Sequence, residues 1–276
     1  MVAADEIDAG EAFYQRIHDQ MPEAMSRYVA ANPLPDGRTS YQFIADQVPD
    51  ALNVLDLGCG DGSLLAILAR NGATGLAGID LSEGQLASAR RRSELVDAEL
   101  RLGRAQELPF ADNAFDTVVS HMAVMLMAQV EQVFTEAARV LKPAGRLAIS
   151  VGMKPVPGSG LALFQEVGRP IFAASQQRGT MPTLGDRRAR TRQGLNELAT
   201  AAGFQPISWT EIMPGADATP EQIWASAVES YYDITLVEAQ QLREFRDEFL
   251  GRASVLADAG LLRRGERMAI ATTRRA

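Results

Sequence analysis

Cysteine is almost absent from the 276-residue chain: Cys59 stands alone, so no internal disulfide and no cysteine cluster for a metal can form, and no metal is expected. Lysine is nearly as scarce. Of 27 basic residues only Lys142 and Lys154 are lysines, and neither closes a Gly-Lys-Ser/Thr turn, which excludes a P-loop. No uninterrupted apolar stretch approaches the roughly 18 residues of a membrane span. Met1 to Glu11 carry no apolar run, so no signal peptide is expected and a soluble cytoplasmic protein is the default. Positive charge is short as well. A net charge of -8 argues against a surface that coats nucleic acid, because neutralising phosphates needs a clear excess of Lys and Arg.

What is present is enough apolar matter for a sizeable core. A hydrophobic share of 46% suits one large domain, or a core with a helical cap. The most informative stretch runs from Asn53 through Val54-Leu55-Asp56-Leu57 to Gly58-Cys59-Gly60-Asp61-Gly62. It reads as a buried parallel strand ending near an acid, followed by glycines at every second position that let the backbone turn tightly beside a ligand. A dinucleotide fingerprint needs Gly-x-Gly-x-x-Gly, and Ser63 occupies its last position, so a nicotinamide dehydrogenase loses ground. About 20 residues on, Asp80 ends the apolar run Gly75 to Ile79, where a ribose would find an acceptor. Ser82 then reads as the N-cap of a helix.

The acid-x-Gly-x-Gly-x-Gly pattern at Asp56, Gly58, Gly60 and Gly62 resembles motif I of the class I S-adenosylmethionine-dependent methyltransferases. The likeness continues through Leu102 to Phe110, Asn113 to Ser120 and Ala138 to Ile149, and covers roughly residues 50 to 152. It implies an α/β fold: a Rossmann-like, seven-stranded, mostly parallel sheet with helices on both faces and the last strand antiparallel, plus helical cap insertions. It implies S-adenosyl-L-methionine as cofactor, held by Asp56, Gly58, Cys59, Gly60, Asp80, Leu81, Gln85, Ala105, Gln106 and His121. Asp80 would take the ribose hydroxyls, Leu81 would lie on adenine, and Gln85 would add a ribose contact. Cys59 would act through its backbone. One position departs from the pattern: the aspartate expected at the adenine edge falls on Arg104, which donates but cannot accept. Either Gln106 turns its amide oxygen inward, or a main-chain carbonyl or water accepts instead.

Punctuation by Pro and Gly divides the chain into an N-terminal helical segment (1–48), a cofactor-binding core (49–152), an inserted lid (153–190), a core helix and strand (191–212), a helical cap insertion (213–265) and a closing strand (266–276). Tyr14 in the first segment has a chance of touching the cofactor. The 213–265 insertion reads as two helices, roughly Pro220 to Tyr232 and Val237 to Ala257, that cap an acceptor or serve a homodimer.

Methyl transfer from a sulfonium needs alignment and water exclusion more than acid or metal chemistry. A hydroxyl or activated-carbon acceptor would still gain from a base. His121, at the carboxyl end of the fourth strand, is the leading catalytic candidate; its alternative is a wall of the cofactor pocket. Met122, Met125 and Met127, with Met153, Met181 and Met213, suit an adaptable apolar pocket or plain core packing. Trp224, Tyr231 and Tyr232 are candidates to stack on a planar acceptor, and Glu229 to orient one. Arg187, Arg188, Arg190 and Arg192 read as an anion grip or a solvated loop, and Arg90 to Arg92 as a helix's last turn. The resulting expectation is methylation of a small organic acceptor in quinone-type or secondary metabolism, without nucleic acid or membrane. Competing readings are a cofactor-binding protein or non-methylating enzyme on the same fold, and an RNA or protein methyltransferase.

Overall fold

The computed structural model describes residues 9–177, 185–215 and 218–276. Met181 lies outside them, as does the side chain of Tyr232. Seven strands form: β1 (Asn53–Leu57), β2 (Gly75–Asp80), β3 (Glu99–Leu102), β4 (Phe115–His121), β5 (Leu141–Gly152), β6 (Ser208–Ile212) and β7 (Met268–Arg274). Val54, Leu55 and Leu57 are buried, as a central parallel strand covered on both faces requires. They join one sheet in the order β3-β2-β1-β4-β5-β7-β6. The pairs from β3 to β5 are parallel, and β7 inserts antiparallel between β5 and β6. The Rossmann-like sheet with an antiparallel last strand is therefore the fold found.

Helices α1 (Ala9–Gln20), α2 (Ala24–Ala31) and α3 (Ser40–Ala45) precede the sheet. Within the sheet region come α4 (Ser63–Arg70), α5 (Glu83–Ala89), α6 (Val130–Val140), α7 (Gly160–Gln177), α8 (Arg192–Ala201), α9 (Pro220–Ser230) and α10 (Ala239–Asp258). One face of the sheet is covered by apolar residues of α3, α4 and α5, among them Ile44, Leu65 and Leu86. The other is covered by α6 and α8 through residues such as Phe134, Leu195 and Leu198. The order of strands reverses between β1 and β4, which opens a crevice at their carboxyl ends, the place where ligands lodge in such sheets.

Segments far apart in sequence share a third core. α7, α9 and α10 pack around Phe164, whose ring centroid lies 4.8 Å from Phe245, 5.1 Å from Tyr231, 5.6 Å from Trp224 and 5.8 Å from Phe249. Trp224, a candidate to stack on an acceptor, is thereby engaged in packing, with Phe245 at 4.9 Å. Among the described residues no helix is long and apolar enough to cross a membrane.

Candidate functional site

Gly58, Gly60 and Gly62 take φ values of 70°, 54° and 75°, a left-handed conformation that residues with a Cβ adopt at a cost. The turn is tied to the end of β2. Gly58 N and Cys59 N donate to Ile79 O at 2.9 and 3.1 Å, and Gly60 N donates to Asp80 Oδ2 at 2.8 Å. A Cβ on Gly58 would stand 2.5 Å from Ala123 Cβ, so the spacing of the glycines is dictated by close approach as well as by φ. Arg92 props the turn from behind, donating to Asp61 O at 2.6 Å, Asp61 Oδ2 at 2.7 Å and Ser63 Oγ at 2.7 Å. It does not behave as a solvated helix end.

Three carboxylates crowd this turn. Asp80 Oδ1 also accepts from Ser82 N at 2.9 Å, and Ser82 Oγ caps α5 as its position in the sequence suggests. Asp56 Oδ1 is buried and meets no partner among the described residues. Burial pushes the Asp56 carboxyl well up, with help from the neighbouring charges of Asp80 and Asp61. Burial likewise raises Asp80, against the backbone donors of Ser82 and Gly60. A cationic ligand would reverse both shifts. The Cys59 thiol is raised by the same burial and the same acids, which leaves it inert.

α1 forms the roof of the crevice. Glu11, Tyr14, Gln15 and His18 recur at one-turn spacing and all line it. Both ends of the helix are clipped down. At one end Asp19 Oδ1 accepts from Ser82 Oγ at 2.6 Å and from Gly84 N at 3.1 Å, while Gln85 Nε2 meets His18 Nδ1 at 3.0 Å. Gln85 Oε1 stays buried and unpaired, 3.5 Å from where a Cβ on Gly60 would be. At the other end the Glu11 carboxylate, only 3% exposed, accepts from Arg104 Nε at 2.9 Å and from Ala128 N at 3.2 Å.

The same carboxylate settles the orientation of Gln106. Its Nε2 donates to Glu11 Oε1 at 2.7 Å and to Ala128 O at 2.6 Å, and both of those partners can only accept. The amide therefore spends both of its hydrogens on the protein. Glu11 went unnoticed in the sequence; the polar spacing 11, 14, 15, 18 opposite Phe13 and Ile17 was the signal available. Loss of a charge-assisted bond of this kind costs about 1.5–3 kcal/mol. Glu11→Ala is accordingly expected to weaken S-adenosylmethionine binding about tenfold or more, through faster release, which stopped-flow displacement by its demethylated product would measure. Unchanged release would mean that α1 is not held by Glu11.

His121 closes the far wall. Its Nε2 lies 2.9 Å from Ser40 Oγ, the Tyr41 ring lies tilted against it at 4.2 Å, and Nδ1 is buried without a partner among the described residues. Burial holds the imidazole's pKa down at about 3, so the ring is neutral at physiological pH and a weak proton acceptor in this form. The sign of its effect on folding follows. Unfolded histidine binds a proton below about pH 6.5 and the buried ring does not until about pH 3. Stability is thus lost as pH falls through that window, by up to about 1.4 kcal/mol per pH unit. His121→Asn should show a shallower acid loss of Tm between pH 6 and 4.

Leu81 and Ala105 also line the crevice, so all ten residues expected to hold the cofactor gather there, around about 1020 Å³ of empty space. Next to it opens a chamber of about 1340 Å³ that shares Tyr14, Met25, Met122 and Leu126. Met125, Met153 and Tyr231 line this chamber, and so does Arg190. Met127 belongs to the crevice, and Met213 is 58% exposed. Arg188 pairs with Asp186 and Glu131, and Arg192 with Glu211, so half of that basic stretch is committed to these carboxylates.

The family described as "Methyltransferase domain" matches residues 55–149. The demethylmenaquinone methyltransferase of Listeria welshimeri is 32% identical over 179 residues, 60% of this chain and 76% of that protein. The chain belongs to the class I S-adenosylmethionine-dependent methyltransferases. The demethylmenaquinone methyltransferase of Symbiobacterium thermophilum is 38% identical over 111 residues, and there the match spans 37% of this methyltransferase and 43% of its relative. Among solved structures, the [4+2]-cyclase SpnF shares the fold with a TM-score of 0.58 at 22% identity, over 98% of this chain and 97% of that one. S-adenosylmethionine is the cofactor, and the crevice fits it on independent grounds. The unpaired Asp56 and Gln85 oxygens and the narrow glycine turn suit a ligand that is cationic, carries hydroxyls and approaches the backbone closely.

Proposed function

We propose that this methyltransferase acts on a hydroxyl oxygen or an activated carbon of a small organic acceptor, in quinone-type or natural-product metabolism. The observation that carries the reading is the junction of crevice and chamber: a cofactor seated against Asp56 and Asp80 would have a largely apolar room beside it. The relatives named as demethylmenaquinone methyltransferases support a bulky, apolar acceptor of this kind.

In the proposed roles, the Gly58, Cys59 and Gly60 backbone and Asp56 receive the amino-acid end of the cofactor. Asp80 and Gln85 take the ribose, Leu81 covers adenine, Ala105 offers a backbone amide, and Gln106 Oε1 accepts from the adenine amino group. S-adenosylmethionine, when bound, supplies a methyl group already activated on a sulfonium. The protein's work is then to align the acceptor and exclude water, with α1 as roof and residues 153–190 and 213–265 as the acceptor's cap. His121 stands where it can touch the acceptor or the cofactor. His121→Asn should lower turnover at least tenfold while cofactor affinity stays within about threefold; full turnover would remove it from the chemistry. An acidic surface and caps that serve the acceptor fit a cytoplasmic enzyme working without nucleic acid or membrane, and leave a homodimer unnecessary.

The test is incubation with methyl-labelled S-adenosylmethionine and, separately, a reduced demethylnaphthoquinol, a hydroxylated polyketide and an amine. Label on the first or second supports the reading. Label on the amine alone contradicts it.

A further inference from the structure

Among the described residues Glu266, just ahead of β7, is the one carboxylate on the wall of the chamber. Tyr28 donates its hydroxyl hydrogen to Glu266 Oε2 at 2.7 Å, and Arg264 Nε reaches the same oxygen at 3.3 Å. Arg264, whose side chain is 3% exposed, also donates to the Tyr28 hydroxyl at 2.9 Å and to Ser226 Oγ. Both bonds to the carboxylate thus converge on Oε2, and among the described residues none reaches Oε1.

We propose that Glu266 Oε1 accepts a hydrogen bond from a hydroxyl of the acceptor, and that the acceptor is an uncharged, largely apolar molecule. The proposal rests on the methyltransferase reading above and names the substrate class for it.

Three observations converge on that class. First, the chamber's walls are mainly apolar, with Val29, Leu126, Leu161 and Pro214 among them, and would leave the polar groups of a small hydrophilic metabolite without partners. Second, its walls are rich in flexible methionine, which adapts to apolar shapes. Third, the cations near it are already engaged: Arg264 with Glu266, Arg267 with Glu211 at 2.8 Å, and Arg190 in contacts of its own. An anionic acceptor would meet the Glu266 carboxylate without an uncommitted counter-charge, whereas a neutral hydroxyl brings the donor that Oε1 lacks. Burial pushes the Glu266 carboxyl above its ordinary range, against the pull of Tyr28 and Arg264, so a further donor to the carboxylate is favourable.

Pyrene, 1-hydroxypyrene and pyrene-1-carboxylate share one apolar body and differ in the group that Glu266 would meet. Their binding to the full chain saturated with S-adenosylhomocysteine, at pH 7, can be followed by pyrene fluorescence. Hydroxypyrene is expected to bind at least tenfold more tightly than either of the others. In Glu266→Gln its preference over the carboxylate should shrink at least fivefold, while affinity for S-adenosylhomocysteine stays within twofold. Equal or tighter binding of the carboxylate to the unaltered protein, or an unchanged preference in Glu266→Gln, overturns the proposal. Should the variant not fold, the three probes on the unaltered protein decide alone. Failure to bind S-adenosylhomocysteine would instead strike at the methyltransferase reading beneath it.

Discussion

Asp80→Ala weakens S-adenosylmethionine binding by about 100-fold or more, close to 2.8 kcal/mol. Two effects add. The carboxylate that would take both ribose hydroxyls is gone, and each charge-assisted bond is worth about 1.5–3 kcal/mol. The glycine turn also loses its tether, because Gly60 N donates to Asp80 Oδ2 at 2.8 Å. Asp80→Asn separates the two contributions by keeping shape and one acceptor while removing charge. Burial raises the Asp80 carboxyl, so charge there is unfavourable to the empty fold, and the Asn variant without ligand should melt no lower than the parent. What it should lose is the rise in Tm on adding cofactor, since stabilisation by a ligand follows its affinity. Calorimetry and thermal scans with and without S-adenosylmethionine measure both. Unaltered affinity in Asp80→Ala would remove the crevice as the cofactor site.

The second large effect is expected far from the glycine turn. Phe164 is fully buried at the centre of the cap's aromatic core, and truncation of such a ring to alanine costs about 3–5 kcal/mol. Phe164→Ala should therefore loosen α7 against α9 and α10 and abolish methyl transfer. The crevice draws its walls from α1, α2, α3, β1, β2 and the β4 end, none of whose residues belongs to that core, although α2 packs against α9. Affinity for S-adenosylmethionine should accordingly remain within about threefold. A parallel loss of both would show that cap and crevice form a single cooperative unit.

The two variants probe parts of the molecule that differed in how plainly the sequence announced them. The cofactor crevice was legible because its requirements are local. A left-handed backbone favours glycine at 58, 60 and 62, and an acid at the end of the next strand holds the turn, so each residue reports its own geometry. The sheet was legible for a similar reason, since strands buried on both faces carry near-continuous apolar runs. Pairings across long distances left weaker traces. Glu11 faces Arg104 and Gln106 from 93 and 95 residues away, and its only local trace is the polar spacing along α1, which does not name the partners. Trp224 illustrates the same limit in the opposite sense: an aromatic residue in an insertion can be read as a stacking platform or as core, and only the fold brings it against Phe245 and Phe249. Glu266 looked like the first residue of a strand. Its role emerges only once Tyr28, on a helix 238 residues earlier, is beside it.

His121 was legible as a candidate but not in its protonation. Its position at the end of β4 follows from the strand's length, whereas the pKa of about 3 follows from burial beside Ser40 and Tyr41, which belong to α3. The ring is thus neutral in the empty protein, and the turnover of His121→Asn decides between base and wall.

The most direct test of the account is difference density from crystals of the protein grown with S-adenosylmethionine. The prediction is a ligand in the crevice under α1, its ribose on Asp80, its adenine amino group on Gln106 Oε1 and its methyl group at the opening shared with the chamber, beside Met122. A ligand lodged elsewhere, or one whose methyl group faces solvent and away from the chamber, would contradict it.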